Sequence, residues 1–154
     1  MPLQKPTPEA LARYADAFNQ SLTLRFFGVQ LRFPDDATCE VVLDPIRDEH
    51  RGGLGSDAVN GGILAALFDL VIGCAPALLD PSRKSATVQL SLQFMRPVRG
   101  RRLLLRSRVT RGGRTLVFAA AELLDEQGEV CATATGLSRV SSEPWANDGT
   151  PAVN

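Results

Sequence analysis

Asp69 is the one charged residue in the run 59–74, VNGGILAALFDLVIGC. A carboxylate taken out of water costs several kcal/mol unless a partner or a purpose holds it there. At about 100° per residue, Ile63, Leu67, Leu70, Val71 and Cys74 fall on one side of a helix, the expected core face. Asp69 falls nearly opposite, among Gly62, Ala65, Ala66, Ile72 and Gly73. Small residues let another backbone or a ligand approach closely. A carboxylate on such a stripe can serve as a general base or as a nucleophile. The same pattern also fits a helix-packing face whose Asp meets an arginine or water.

Asn60-Gly61-Gly62 opens the run. Asn is a good N-cap, and glycines leave amide N–H groups open at the positive end of the helix dipole, where an oxyanion is favoured. A plain capped helix start reads the same way. Gly62 and Asp69 are seven residues apart, about 10 Å along the axis, too far to act on one carbonyl within a single chain. Two such helices, antiparallel about a two-fold axis, would bring Asp69 of one to Gly62 of the other. A homodimer with two shared sites is therefore expected.

The surrounding elements follow from period and punctuation. Residues 8–19 read as a first helix, with Thr7 as cap and Pro8 at its first position. Residues 28–33 and 37–43 read as strands, and 44–58 as a loop rich in charge and glycine. Residues 62–75 form the apolar helix. Alternation in residues 87–94 marks a strand buried on one face, and 101–110, 115–124 and 129–140 complete four consecutive antiparallel strands. Turns fall at Arg111-Gly112-Gly113-Arg114 and Asp125-Glu126-Gln127-Gly128. Without βαβ alternation the class is α+β, a sheet packed on a helix. The expected division is 1–28 as N-terminal helix and lead-in, 29–141 as the main domain, and 142–154 as a loose polar tail.

Composition narrows the function. The 154 residues and 44% hydrophobic content suit one domain with a real core. Three scattered cysteines without a CxxC pair read as free thiols in a reducing compartment. With no leader segment apparent, a cytoplasmic location is expected. The apolar run, broken by Gly73, Pro76 and Asp69, is expected to be too short for a membrane span. A single histidine, His50, leaves little to ligate zinc, so no metal site is expected. No acid occurs between Asp80 and Glu122, an interval with ten Lys and Arg residues. Such a region suits a phosphate-bearing partner or a solvated strand face. The arginines lack interleaved aromatics, so nucleic acid is not expected. No GxSxG elbow is present.

The helix start Asn60-Gly61-Gly62, followed by Leu67 and Asp69, resembles the HGG-x-x-x-x-L-x-D signature of hotdog-fold thioesterases of the phenylacetyl-CoA (PaaI-like) type. Thr87-Val88-x-Leu90-x-x-x-Phe94-x-Arg96-Pro97 resembles that family's next strand, and Arg111 to Thr115 and Asp125 to Ala134 its last two hairpins. The resemblance covers residues 53–140. It implies a hotdog fold, a long central helix wrapped by a curved antiparallel sheet of five to six strands, in a dimer or a dimer of dimers. It implies hydrolysis of an acyl-CoA thioester without metal or cofactor. By position, Asp69 would be the catalytic carboxylate, and the Gly62 amide would polarise the carbonyl, with Gly61 nearby. Thr87 would stand near the attacking water. Phe68 and Arg96 are candidate substrate contacts, Arg96 toward CoA phosphates. Asn60 replaces the family's usual histidine, so no acid is available there. Strict alternation puts Thr87 on the face opposite Val88 and Leu90. A non-catalytic acyl-CoA binder and a hotdog hydratase or dehydratase are the alternatives, the latter needing a histidine at the site.

Overall fold

The computed structural model describes residues 5–53 and 56–145. Helix α1 (Pro8–Asn19) is capped by Thr7, whose hydroxyl accepts from the Ala10 N–H, and it buries Leu11, Tyr14 and Ala15. A short helix, α2 (Leu22–Phe27), follows. Ser21 caps it and Gly28 ends it in the left-handed region at φ 71°, a conformation glycine adopts without strain. Strands β1 (Val29–Arg32) and β2 (Cys39–Leu43) come next. Helix α3 (Gly61–Cys74) runs into a 3₁₀ turn, Ala75–Leu78. Strands β3 (Arg83–Phe94), β4 (Leu103–Gly112), β5 (Leu116–Leu124) and β6 (Val130–Pro144) complete the chain.

All six strands form one antiparallel sheet in the order β1-β2-β4-β5-β6-β3. The four last strands are thus not a simple meander. β3 crosses to the far edge and pairs with β6, which leaves β4 free to pair with β2. This joining of the early and late halves also resolves the charge asymmetry. Arg106 bonds Glu40 at 3.3 Å, Arg99 bonds Asp57 at 2.7 Å, and Arg101 stands 3.7 Å from Asp44.

The sheet curls around α3, which packs against β2, β3, β4, β5 and β6. Because the sheet embraces the helix, its buried face is wider than a single stripe. Leu64, Leu67, Phe68, Val71, Ile72 and Cys74 are all buried. Ile72, expected on the outer stripe, is instead fully buried, while Ile63 and Leu70 are only half-buried. At the closest approach, a β-carbon on Gly136 of β6 would stand 2.5 Å from Ile72 Cγ2, so only glycine admits the helix there. Two strand serines tie the helix end to the sheet. Ser107 donates to the Val71 carbonyl at 2.7 Å and Ser85 to the Gly73 carbonyl at 2.9 Å.

Two expectations change. By length and composition, Gly61–Leu78 is apolar enough to cross a membrane, contrary to the reading of a run too short and broken. Here it is the core helix of the sheet, and most of its large apolar side chains are buried by protein. The C-terminal segment is ordered further than expected. β6 continues to Pro144, and Trp145 packs on Phe18 with ring centroids 5.7 Å apart. The remainder of the expected tail, 146–154, lies outside the described residues.

Candidate active site

The outer stripe of α3 is left open by the sheet. Gly61, Gly62 and Asp69 are exposed, and Ala65, Ala66 and Gly73 are half-buried. Asp69 opens onto a hollow of about 330 Å³, whose lining also includes Leu70, Gly73, Thr87 and Phe18. Helix and strand therefore deliver the Asp69 carboxylate and the Thr87 hydroxyl to the same space, where the Ser85 hydroxyl is taken up by the Gly73 carbonyl.

Thr87 reaches it through a bulge. The β3–β6 register runs Thr87↔Ser138 and then Gln89↔Leu137, so Val88 has no partner and is exposed. One extra residue reverses the alternation. Thr87 thus faces the helix together with Leu90 and Leu92, which pack on the core, contrary to strict alternation. A β-carbon on Gly73 would stand 3.0 Å from Thr87 Oγ1, so the glycine makes room for the hydroxyl.

The helix start is organised by Asn60. Its Oδ1 accepts from the Gly62 N–H at 2.8 Å, while its own N–H donates to the His50 carbonyl at 2.9 Å. The cap thus occupies the amide of Gly62. Its N–H is already bonded, and among the described residues the helix-start N–H groups without an acceptor are those of Gly61 and Ile63. Phe94 of β3 stands beside Gly61, its ring 3.9 Å from where a β-carbon would sit.

Two further candidate contacts, Phe68 and Arg96, lie outside the hollow. Phe68 is fully buried in the core and does not line the hollow. Its ring is buried because the sheet wraps more of the helix than the expected core face. Arg96 is mostly exposed, 3.5 Å from Glu129, and lies just past the Phe94 end of β3. His50 is buried in the loop, its Nδ1 accepting from the Arg47 N–H at 2.9 Å and its Nε2 bonded to the Phe27 carbonyl at 2.8 Å. With both nitrogens engaged, it is not free to shuttle protons. Cys74 lines the hollow, but burial pushes its thiol up to about 12, so it stays protonated at neutral pH and is a poor nucleophile. Among the described residues no group of three or more His, Cys, Asp or Glu is placed to hold a metal ion.

A second hollow of about 310 Å³ lies on the sheet around Arg106, Arg108 and Thr135. None of the residues that place the Asp69 carboxylate lines it.

Residues 57–132 match the family model for the thioesterase superfamily. The whole described fold superposes on the Escherichia coli PaaI protein from the phenylacetic acid degradation operon, with a TM-score of 0.79 at 16% identity, covering 90% of this chain and 99% of that one. The chain has the hotdog fold, and its segment 57–132 is that of the thioesterase superfamily. Two proteins, both provisionally named esterases, are more similar in sequence. One from Thermoplasma acidophilum is 25% identical over 80 residues, 52% of this chain and 61% of that protein. One from Saccharolobus solfataricus is 28% identical over 98 residues, 62% of this chain and 67% of that protein. The chain thus spans about two thirds of the length of these relatives. The superfamily match supports hydrolase chemistry in general. The segment matched to the superfamily holds Asn60, Gly61, Gly62, Asp69 and Thr87, the residues around the open stripe.

Sequence reasoning missed Phe18 and Gly52. Phe18 belongs to the apolar stripe of α1, and nothing in its pattern says that the stripe's end reaches the hollow. Gly52 sits in a charged loop, and its contact with Asn60 depends on how that loop closes.

Proposed function

We propose that the protein hydrolyses acyl-CoA thioesters as a homodimer or a dimer of dimers, each site shared between two copies. The observation that carries this is the exposed carboxylate of Asp69, beside the Thr87 hydroxyl, on an open stripe of small residues. Asp69 takes a proton from water, and the water oxygen attacks the thioester carbonyl carbon. The oxyanion is held by the Gly61 N–H at the helix start of the second copy. The C–S bond then breaks, and the proton on Asp69 passes to the departing CoA thiolate. Thr87 orients the water. Arg96, solvent-facing past the end of β3, is available to CoA phosphates.

The need for a second copy has its own support. β3 is a twelve-residue edge strand, and Val88, Phe94 and Met95 on or beside it are exposed. A long apolar edge invites pairing with another chain. The superfamily match and the names of the esterase-like relatives favour hydrolysis over hydration, and the buried, fully bonded His50 disfavours a hydratase. The cytoplasm is the proposed location, since all three cysteines are free.

The test is Asp69→Asn against a panel of acyl-CoAs with free-thiol detection. Turnover is expected to fall at least about 100-fold with the fold intact. Unchanged turnover removes Asp69 from the mechanism. Tight CoA binding without hydrolysis by the unsubstituted protein would establish a binder instead.

A further inference from the structure

The hollow beside Asp69 is lined in part by a residue from outside the superfamily segment, Phe18. Asp69 and Gly73 are four residues apart on α3, about 6 Å along the axis. Over that distance Gly73 and Ala86 leave the sides of the hollow unencumbered, and Leu70 gives it an apolar surface. Phe18 of α1 also lines it, and α1 packs on the 3₁₀ turn Ala75–Leu78 that follows Gly73, which sets Phe18 toward that side of the hollow.

Phe18 is not a loose side chain. Its ring lies 4.7 Å from Tyr14 and 5.7 Å from Trp145, and Tyr14 in turn meets Phe33 at 5.9 Å. Trp145 is also tied at its backbone, whose N–H donates to the Ser82 carbonyl at 3.0 Å. An aromatic group held on two sides cannot swing away without opening the packing of α1 on the sheet.

We infer that Phe18 is a specificity-determining residue, a backstop that confines the acyl group to a compact one, a single ring or a short chain. This rests on the hydrolase reading above. The carbonyl sits by Asp69 and Thr87, the acyl tail runs along Leu70 and Gly73, and its far end meets the Phe18 ring. A tail that is too long cannot seat its carbonyl at Asp69, so discrimination appears in kcat/KM and grows steeply with each methylene past the limit. A methylene gained or lost in an apolar pocket changes kcat/KM by about tenfold or more.

The experiment compares the unsubstituted protein with Phe18→Leu and Phe18→Ala on straight-chain acyl-CoAs of increasing length and on benzoyl- and phenylacetyl-CoA. Thermal melts accompany each variant, and Phe18→Leu, which keeps most of the packing, serves where Phe18→Ala fails to fold. The unsubstituted protein is expected to prefer compact acyl groups. The variants are expected to raise kcat/KM for longer chains by about tenfold relative to short ones. Equal turnover of long and short chains by the unsubstituted protein overturns the inference. So does a change in the variants by one common factor across all substrates. No turnover of any acyl-CoA by the unsubstituted protein overturns the hydrolase reading itself, a result that neither of the other two outcomes resembles.

Discussion

A β-carbon on Gly52 would stand 2.5 Å from Asn60 Nδ2 and 2.6 Å from Asn60 Cβ. The glycine is therefore part of the mould that holds the helix cap. The Gly52 N–H also donates to the Ala58 carbonyl at 3.2 Å, and Arg51 bridges Val59, so the loop closes on the helix start from both sides. Gly52→Ala must push Asn60 away or open the loop. Loss of a cap and overpacking together are expected to cost about 1–3 kcal/mol of stability. Because the amide-rich helix start moves with Asn60, thioester turnover is expected to fall more than stability alone explains. Chemical denaturation and steady-state kinetics on the same preparation check both parts.

His50 makes a pH dependence specific. Burial, with the nearby Arg47 and Arg51 guanidinium groups, holds its imidazole below the ordinary 6.5, partly offset by the Phe27 carbonyl. The unfolded chain therefore takes up a proton at higher pH than the folded one. The stability this imidazole contributes is complete above about 6.5 and is lost as pH falls through the folded value. It is the only histidine in the chain, and ordinary carboxylates titrate below about pH 5. Loss of stability between about pH 6.5 and 5 is thus expected to belong to His50. His50→Gln should flatten that part of the profile, as read from denaturant midpoints at a series of pH values. An unchanged slope would assign the loss elsewhere.

In the proposed dimer the exposed edge of the sheet is the contact between copies. Val88 is 56% exposed and Met95 53% exposed, on and just past the one long edge strand. The double substitution Val88→Asp, Met95→Asp is expected to leave the protomer folded and to reduce the species in solution to the 16.6 kDa chain. Turnover should vanish with the partner, since the helix-start donor belongs to it. Light scattering with chromatography reads the mass. An active monomer would place both halves of the site within one chain.

What the sequence disclosed were the features written in local pattern. The Thr7 cap, the Asn60 cap and the turn at Asp125-Glu126-Gln127-Gly128 carry their own chemistry. Helix α2 escaped because its six residues are too few to show a period, although Ser21 and Gly28 bracket it. Pairing of β3 with β6 rather than β4 is a long-range choice that no local signal records. The burial of Ile72 and Phe68 followed from a sheet that wraps the helix widely, whereas a wheel assumes a flat neighbour. The candidate stripe itself was legible, because Asp69, Gly62 and Gly73 share a face by spacing alone. Its closure by Phe18 was not, since α1 docks there by tertiary packing.

The bulge at Val88 is what turns Thr87 toward Asp69, so the role of its hydroxyl can be separated from its shape. Thr87→Val keeps the branched side chain that fills the space beside Gly73 and removes only the oxygen. If the hydroxyl orients the attacking water, kcat should fall by about tenfold, the scale of one lost hydrogen bond, with KM little changed. Thr87→Ser restores a hydroxyl without the methyl and should recover most of the rate. A purely structural Thr87 predicts the opposite order, with the isosteric valine better tolerated than serine in both melting temperature and kcat. Stopped-flow or steady-state release of CoA thiol, measured on both variants against one compact acyl-CoA, distinguishes the two.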